Sequence, residues 1–213
     1  MPVKEVGAVL SSGAFWIIAF AFLFHVMALS TLMTHIMPFF SNIGLERSTS
    51  SFIISSIPII GIIGRVGFGW LGDYVDKIKI STLSLALTGV GVLIITYVTL
   101  ERLWLVGIFI VIFGIGWGGL VPMLPGLVIK YFGKNNTGTF IGAVSSVMML
   151  GMITGAPIAG WIFDMKGSCQ MVWFIMGSML ILMTFVFFFL MRRYSIEKMG
   201  KYFGGIVNEK ELV

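Results

Sequence analysis

Six apolar stretches recur along this 213-residue chain, each near the length of about 20 residues that crosses a bilayer as a helix. No other property restricts the fold as much. In lipid every backbone N–H and C=O must be satisfied within the protein, which leaves helices and closed barrels. Barrel strands are short and alternate apolar with polar residues. These stretches are long and apolar all round. They predict an all-α integral membrane protein with six transmembrane helices, at Ala14–Phe39, Thr49–Gly72, Ile80–Leu100, Leu103–Ile129, Thr137–Phe163 and Met171–Met191. A chain that is 58% hydrophobic and 11% charged excludes a water-soluble domain. Residues 1–13 read as a polar lead-in with no removed signal peptide, 14–191 as the membrane bundle, and 192–213 as a polar tail. Cys169 is the only cysteine, so no internal disulfide forms.

The net charge of +5 is no nucleic-acid signal, because the basic residues gather beside helix ends. Lys4, Lys77, Lys79, Lys130, Lys134, Arg192, Arg193, Lys198, Lys201 and Lys210 fall on one side of the predicted bundle, and Arg47, Arg102 and Lys166 on the other. The positive-inside rule then places both termini in the cytoplasm of a cell (inner or plasma) membrane. Trp16 and Trp70 are expected near the inner interface, and Trp104, Trp161 and Trp173 near the outer one, with Trp117 alone at mid-membrane.

The third and sixth stretches carry no charge and read as lipid-facing supports. Each closes a triplet of helices, and three plus three suggests an inverted repeat. The fourth holds Gly114, Gly116, Gly118, Gly119, Pro122, Pro125 and Gly126, and the fifth Gly151-x-x-x-Gly155. Small residues at these spacings predict close helix contacts, and the prolines predict a bend.

Arg65 is the one Lys, Arg, Asp or Glu inside a span. The next charge, Asp73, comes eight positions on, about 12 Å along a helix. A charge at that depth is costly, and by default it marks a functional site. Its same-face neighbours, Pro58, Gly61, Gly69 and Gly72, lack bulk, which leaves room for an anion. A guanidinium fork suits a carboxylate. On the first helix His25, Thr31 and His35 share an arc, a small and polar stripe that suggests a water-accessible face and further substrate contacts. The turn carrying Gly69, Asp73, Lys77 and Lys79 reads as a gate or latch. No metal-ligand cluster, nucleophile elbow or phosphate loop is present, so the sequence offers no enzyme signature and calls for no cofactor.

These residues resemble the major facilitator superfamily along essentially the whole chain. Gly69-x-x-x-Asp73 followed by Lys77 and Lys79 is similar to its loop motif, with Tyr74 where a basic residue is usual. Ala14-Phe15-Trp16, Leu29 to His35, Gly64-Arg65-x-x-x-Gly69, Tyr131-Phe132-Gly133 and Gly155 to Asp164 resemble the monocarboxylate-transporter and oxalate–formate-antiporter branch. The resemblance implies one six-helix half, the carboxyl-terminal one, of a twelve-helix fold. It also implies that Arg65 contacts a substrate carboxylate. Animal monocarboxylate transporters place an acid one turn before that arginine, where this chain has Gly61. The antiporter places a lysine in the helix matching Thr137–Phe163, where this chain has none. A monocarboxylate therefore fits better than a dicarboxylate. The expectation is transport of small organic anions by alternating access, with a complementary six-helix half or a second copy of the chain as partner. The competing expectation is an inactive fragment or a non-transporting membrane scaffold.

Overall fold

A computed structural model describes residues 12–134 and 137–210, with side chains to Tyr194. The lead-in expected at residues 1–13 thus lies almost wholly outside the described residues. Helix α1 runs Gly13–Asn42, α2 Arg47–Tyr74, α3 Lys77–Thr96, α4 Trp104–Leu120, α5 Met123–Phe132, α6 Thr137–Lys166 and α7 Cys169–Lys210. Helices α4 and α5 together form the fourth span, and among the described residues six spans are long and apolar enough to cross a membrane. The six expected stretches are therefore the six observed ones, each differing at its ends by a few residues.

The fourth span breaks where the prolines stand. Pro122 and Pro125 have no N–H for the carbonyls one turn back, and Val121 O instead accepts from Leu124 N at 3.2 Å across a tight turn.

Packing follows a repeat. Helix α1 lies against α6, and α4 lies against α2; α3 packs on α4 and on α7, and α1 also packs on α7. Exchanging first with fourth, second with fifth and third with sixth span maps these contacts onto themselves, as a three-plus-three repeat requires. Gly151 and Gly155 face the α1 backbone at Leu23 and Met27, so this small-residue pair of α6 is a helix seam. Two apolar clusters stack along the bundle. One centres on Phe15, Phe22, Leu120 and Phe187, the other on Phe40, Phe113, Leu32 and Trp173. Phe24 packs against both.

Burial differs from the sequence reading. In the most apolar window of each span, 61% of α1 and 56% of α3 is buried, against 22% of α2 and 17% of α6. The open faces belong to the second and fifth spans, whereas α3 is held between α4 and α7. Apolarity could not predict this, since lipid and a neighbouring helix are equally apolar surroundings. Trp173 also departs from expectation. It is fully buried and meets Phe39 edge-on at 6.0 Å, a core residue and not an interface anchor.

Candidate functional site

Arg65 projects from the middle of α2, on one of the two least covered helices. Its backbone is held tightly although its side chain is exposed. Opposite it on α4 stands Gly118, where a Cβ would lie 2.9 Å from Arg65 N and would also press on Gly61. Gly61 in turn accommodates the ring of Trp117. The glycines thus let α2 and α4 approach until Trp117 reaches the arginine, whose Cζ lies 6.0 Å from the ring centroid. Sequence reading took Trp117 only as a lone mid-membrane tryptophan. That isolation was the available signal of a non-belt role.

Among the described residues Arg65 has no ion pair. A guanidinium at the centre of a span costs about 2.5–3.5 kcal/mol on insertion scales. A cation–π contact returns about 0.5–1 kcal/mol when exposed, and up to about 2 when desolvated. The tryptophan therefore orients the charge without offsetting it. The space sequence reading expected around Arg65 is partly filled, since Gly61 is covered by Trp117 and Gly72 by Met123, while a Cβ at Gly69 would meet nothing.

The polar stripe of α1 is placed differently from the water-accessible face expected. Thr31 is fully buried, and its hydroxyl donates to Gly155 O at 2.9 Å. His35 Nε2 lies 3.2 Å from Ala156 O, and Ser30 donates to Met152 O at 2.8 Å. These side chains close the seam between α1 and α6. A hydroxyl surrounded by apolar groups takes the nearest carbonyl, and α6 supplies one at each turn. His25 is fully buried and neither ring nitrogen has a hydrogen-bond partner. Of the four expected substrate residues, Arg65 stands beside Trp117, Thr31 and His35 close the seam with α6, and His25 is buried on α1.

The expected latch residues lie at the end of the bundle that carries both Gly13 and Tyr194, which lie against each other, but the latch residues do not bond one another. Asp73 and Lys79 are exposed there. The ion pair forms instead on Asp76, whose Oδ2 is 2.6 Å from Lys130 Nζ on α5. Asp76 Oδ1 also caps α3 by accepting from Ile78 N at 2.8 Å. Partial burial works to raise the Asp76 carboxyl. Hydrogen bonds from Lys130 and from the Ile78 and Lys79 backbone outweigh it and hold the group below the usual carboxylate value. Lys77 donates to Gly72 O at 2.8 Å, closing the turn between α2 and α3. Asp76 went unremarked in the sequence because it stands outside the motif spacing; its position just before a helix was the signal. At the opposite end a cleft of about 340 Å³ is lined by Thr96, Lys166, Ser168, Gln170, Met171 and Phe174, none of them an expected site residue.

The model of the Major Facilitator Superfamily matches residues 18–202. The chain belongs to that superfamily. Monocarboxylate transporter 12 of Xenopus laevis is 26% identical over 171 residues, covering 78% of this chain and 37% of that protein. Monocarboxylate transporter 13 of Bos taurus is 26% identical over 167 residues, covering 75% and 39%. An MFS-type transporter of Gibberella moniliformis is 23% identical over 203 residues, covering 90% and 47%. The chain thus spans between about a third and a half of the length of these relatives. Among solved structures, the fucose:proton symporter of E. coli superposes with a TM-score of 0.74 at 13% identity, over 89% of this chain and 45% of that one. At that identity the likeness establishes the fold alone, which matches about half of that structure. Family and helices together make this a multi-pass membrane protein of the Major Facilitator Superfamily.

Proposed function

We propose that the chain forms one half of a secondary transporter for small organic anions, monocarboxylates first among them, and that Arg65 is the anchor for the substrate carboxylate. The observation that carries this reading is the guanidinium itself, mid-span, exposed and without an ion pair among the described residues. A lone cation at bilayer depth is satisfied by water or by an anion, and a planar fork favours a carboxylate. The monocarboxylate transporters found as relatives support the same class of cargo.

The open faces of α2 and α6 support the half-unit. They expose Ile59, Ile62, Ile63 and Val66 beside Arg65, and Met149, Leu150, Met152 and Ile153 on α6. In alternating access one bundle rocks against another around a midplane site, and these faces are where a complementary half or a second copy would seat. The basic excess beside one end orients both termini to the cytoplasm of a cell membrane. There the Gly69–Lys79 turn, tied to α5 through Asp76 and Lys130, serves as the gate.

Binding of a panel of small carboxylates to the purified chain in lipid nanodiscs tests the anchor. Saturable binding in the wild type, weakened about tenfold or more by Arg65→Lys and lost in Arg65→Ala, is expected, since the point charge of lysine cannot reproduce a bidentate contact. Equal affinity in all three proteins would remove Arg65 from the site.

A further inference from the structure

The cleft at the end of the bundle away from the latch has no part in the Arg65 site. It opens between Thr96, the last residue of α3, and the turn from α6 into α7. One turn deeper the two helices are pressed together, since a Cβ at Gly177 of α7 would lie 2.7 Å from the Leu93 side chain of α3. Thr96 stands three residues beyond Leu93, and Phe174 three residues before Gly177. The cleft is therefore the wedge left where α3 and α7 part.

Its lining is graded from polar to apolar. Lys166 ends α6, Ser168 lies in the turn, and Gln170 belongs to the first turn of α7; with Thr96 they form a polar rim. Met171 and Phe174, three positions apart and so on one face of α7, form an exposed apolar wall. Phe174 sits about 6 Å further along the helix than Gln170. Trp104 and Trp161 are exposed at this same end, as residues at headgroup level are.

Lys166 is the one charge on the lining, and among the described residues its ammonium has no ion pair and no hydrogen bond. Ser168 and Gln170 have no hydrogen bond either, and the Thr96 hydroxyl has only a long one of 3.4 Å to Val92 O. Asp164, two positions before Lys166, stands on another face of α6, and the first turn of α7 holds no acid. One cation, two hydroxyls and an amide thus face about 340 Å³ of space with no carboxylate among them. That set suits an anion with several acceptor oxygens, and the apolar wall beside it suits a chain attached to that anion. A phospholipid is the anion that reaches this depth in quantity.

We propose that the cleft binds an anionic phospholipid of the surrounding leaflet, its phosphodiester on Lys166 and the hydroxyls of Ser168 and Thr96, and its acyl chain along Met171 and Phe174. A choline lipid offers the same phosphate, but its fixed cation meets Lys166 and finds no acid on the lining, so the cleft discriminates against it.

Native mass spectrometry of the chain in detergent tests this by counting the lipids retained. Phosphatidylglycerol and phosphatidylcholine with identical acyl chains are titrated against wild type, Lys166→Gln, Lys166→Arg and Arg102→Gln. Arg102 is exposed after the end of α3 and does not line the cleft. The wild type is expected to hold its first phosphatidylglycerol about fivefold more tightly than phosphatidylcholine, the value of one basic residue at a membrane surface. Lys166→Gln should bring that ratio near unity at an unchanged melting temperature, since the side chain is exposed. Lys166→Arg and Arg102→Gln should keep the ratio. Deacylated glycerophosphoglycerol and inorganic phosphate, added at the lipid concentration, should leave the lipid bound. A wild-type ratio near unity overturns the proposal. An equal fall in Lys166→Gln and Arg102→Gln also overturns it, because general surface charge would then suffice. Displacement by either soluble anion overturns it as well, by making the cleft a site for a water-borne ligand.

Discussion

Gly118→Ala adds a single methyl group at the point where α4 meets α2. That methyl would press on the Gly61 backbone and lie 2.9 Å from Arg65 N. Both obstacles are main chain, which cannot rotate away as a side chain can, so the two helices must separate. Overpacking of this kind costs about 1–3 kcal/mol. For a chain of this size each kcal/mol is worth about 2–4 °C, so the melting temperature should fall by about 2–12 °C. Gly107→Ala is the matched control on the same helix, because a Cβ there meets nothing within 4 Å. Alanine is the better helix former by about 0.5–1 kcal/mol, so this variant should melt at or above the wild-type temperature. Cys169 is the only cysteine and is buried, which allows a thiol-reactive fluorogenic dye to follow unfolding in detergent. Separation of the helices also moves Arg65, so Gly118→Ala should weaken carboxylate binding while Gly107→Ala does not. An unchanged melting temperature in Gly118→Ala would show that α2 and α4 do not pack at the distance described, and the placement of Trp117 over Arg65 would fall with it.

Thr31→Val removes the hydroxyl that donates to Gly155 O and keeps the volume, so it should lower stability by about 0.6 kcal/mol, up to about 1.7, in the same dye assay. No loss would mean that the α1–α6 seam does not rely on that bond. Asp76→Asn removes the charge that pairs with Lys130 but keeps a side-chain oxygen to cap α3, and should lower stability by about 0.2–1 kcal/mol. Because the folded state holds this carboxyl below its ordinary value of 3.8, its contribution is present in full above that value and is lost as pH falls through the depressed one. The wild type should therefore melt lower in acid, and the difference from Asp76→Asn should shrink there. A difference that does not change with pH would show that the charge of Asp76 does not carry the effect.

The six spans were legible because the bilayer imposes their length and apolarity, and the break after Leu120 because two prolines delete the N–H groups that would bridge it. The repeat was legible as two triplets. Which helices stay open was not. Phe185 and Phe189 on α7 and Ile62 and Ile63 on α2 read alike, since no periodic polar face separates lipid from protein in a membrane bundle. The same limit explains α1. A one-third arc of small and polar residues is what a water-lined face would show and also what a seam of side chain to carbonyl bonds shows, and Thr31 and His35 belong to the seam. At the loop, the motif spacing directed attention to Asp73, while the ion pair went to Asp76, which gains a helix cap in addition to Lys130.

Arg65 could be singled out from the sequence and Trp117 could not, for a physical reason. A charge in lipid is anomalous wherever it points, so one residue suffices to raise the question. An aromatic ring is ordinary in a span, and its importance depends on what a neighbouring helix leaves beside it. Here that space is made by Gly61 and Gly118, two glycines from different helices that allow backbone to meet backbone. Had either carried a side chain, the indole would stand away from the guanidinium. The closeness of α2 and α4 is thus a condition of the site as well as of the fold. That explains why the tightest backbone contacts of α2 fall at Gly61 and Gly64, within a turn of Arg65, on a helix otherwise so little covered.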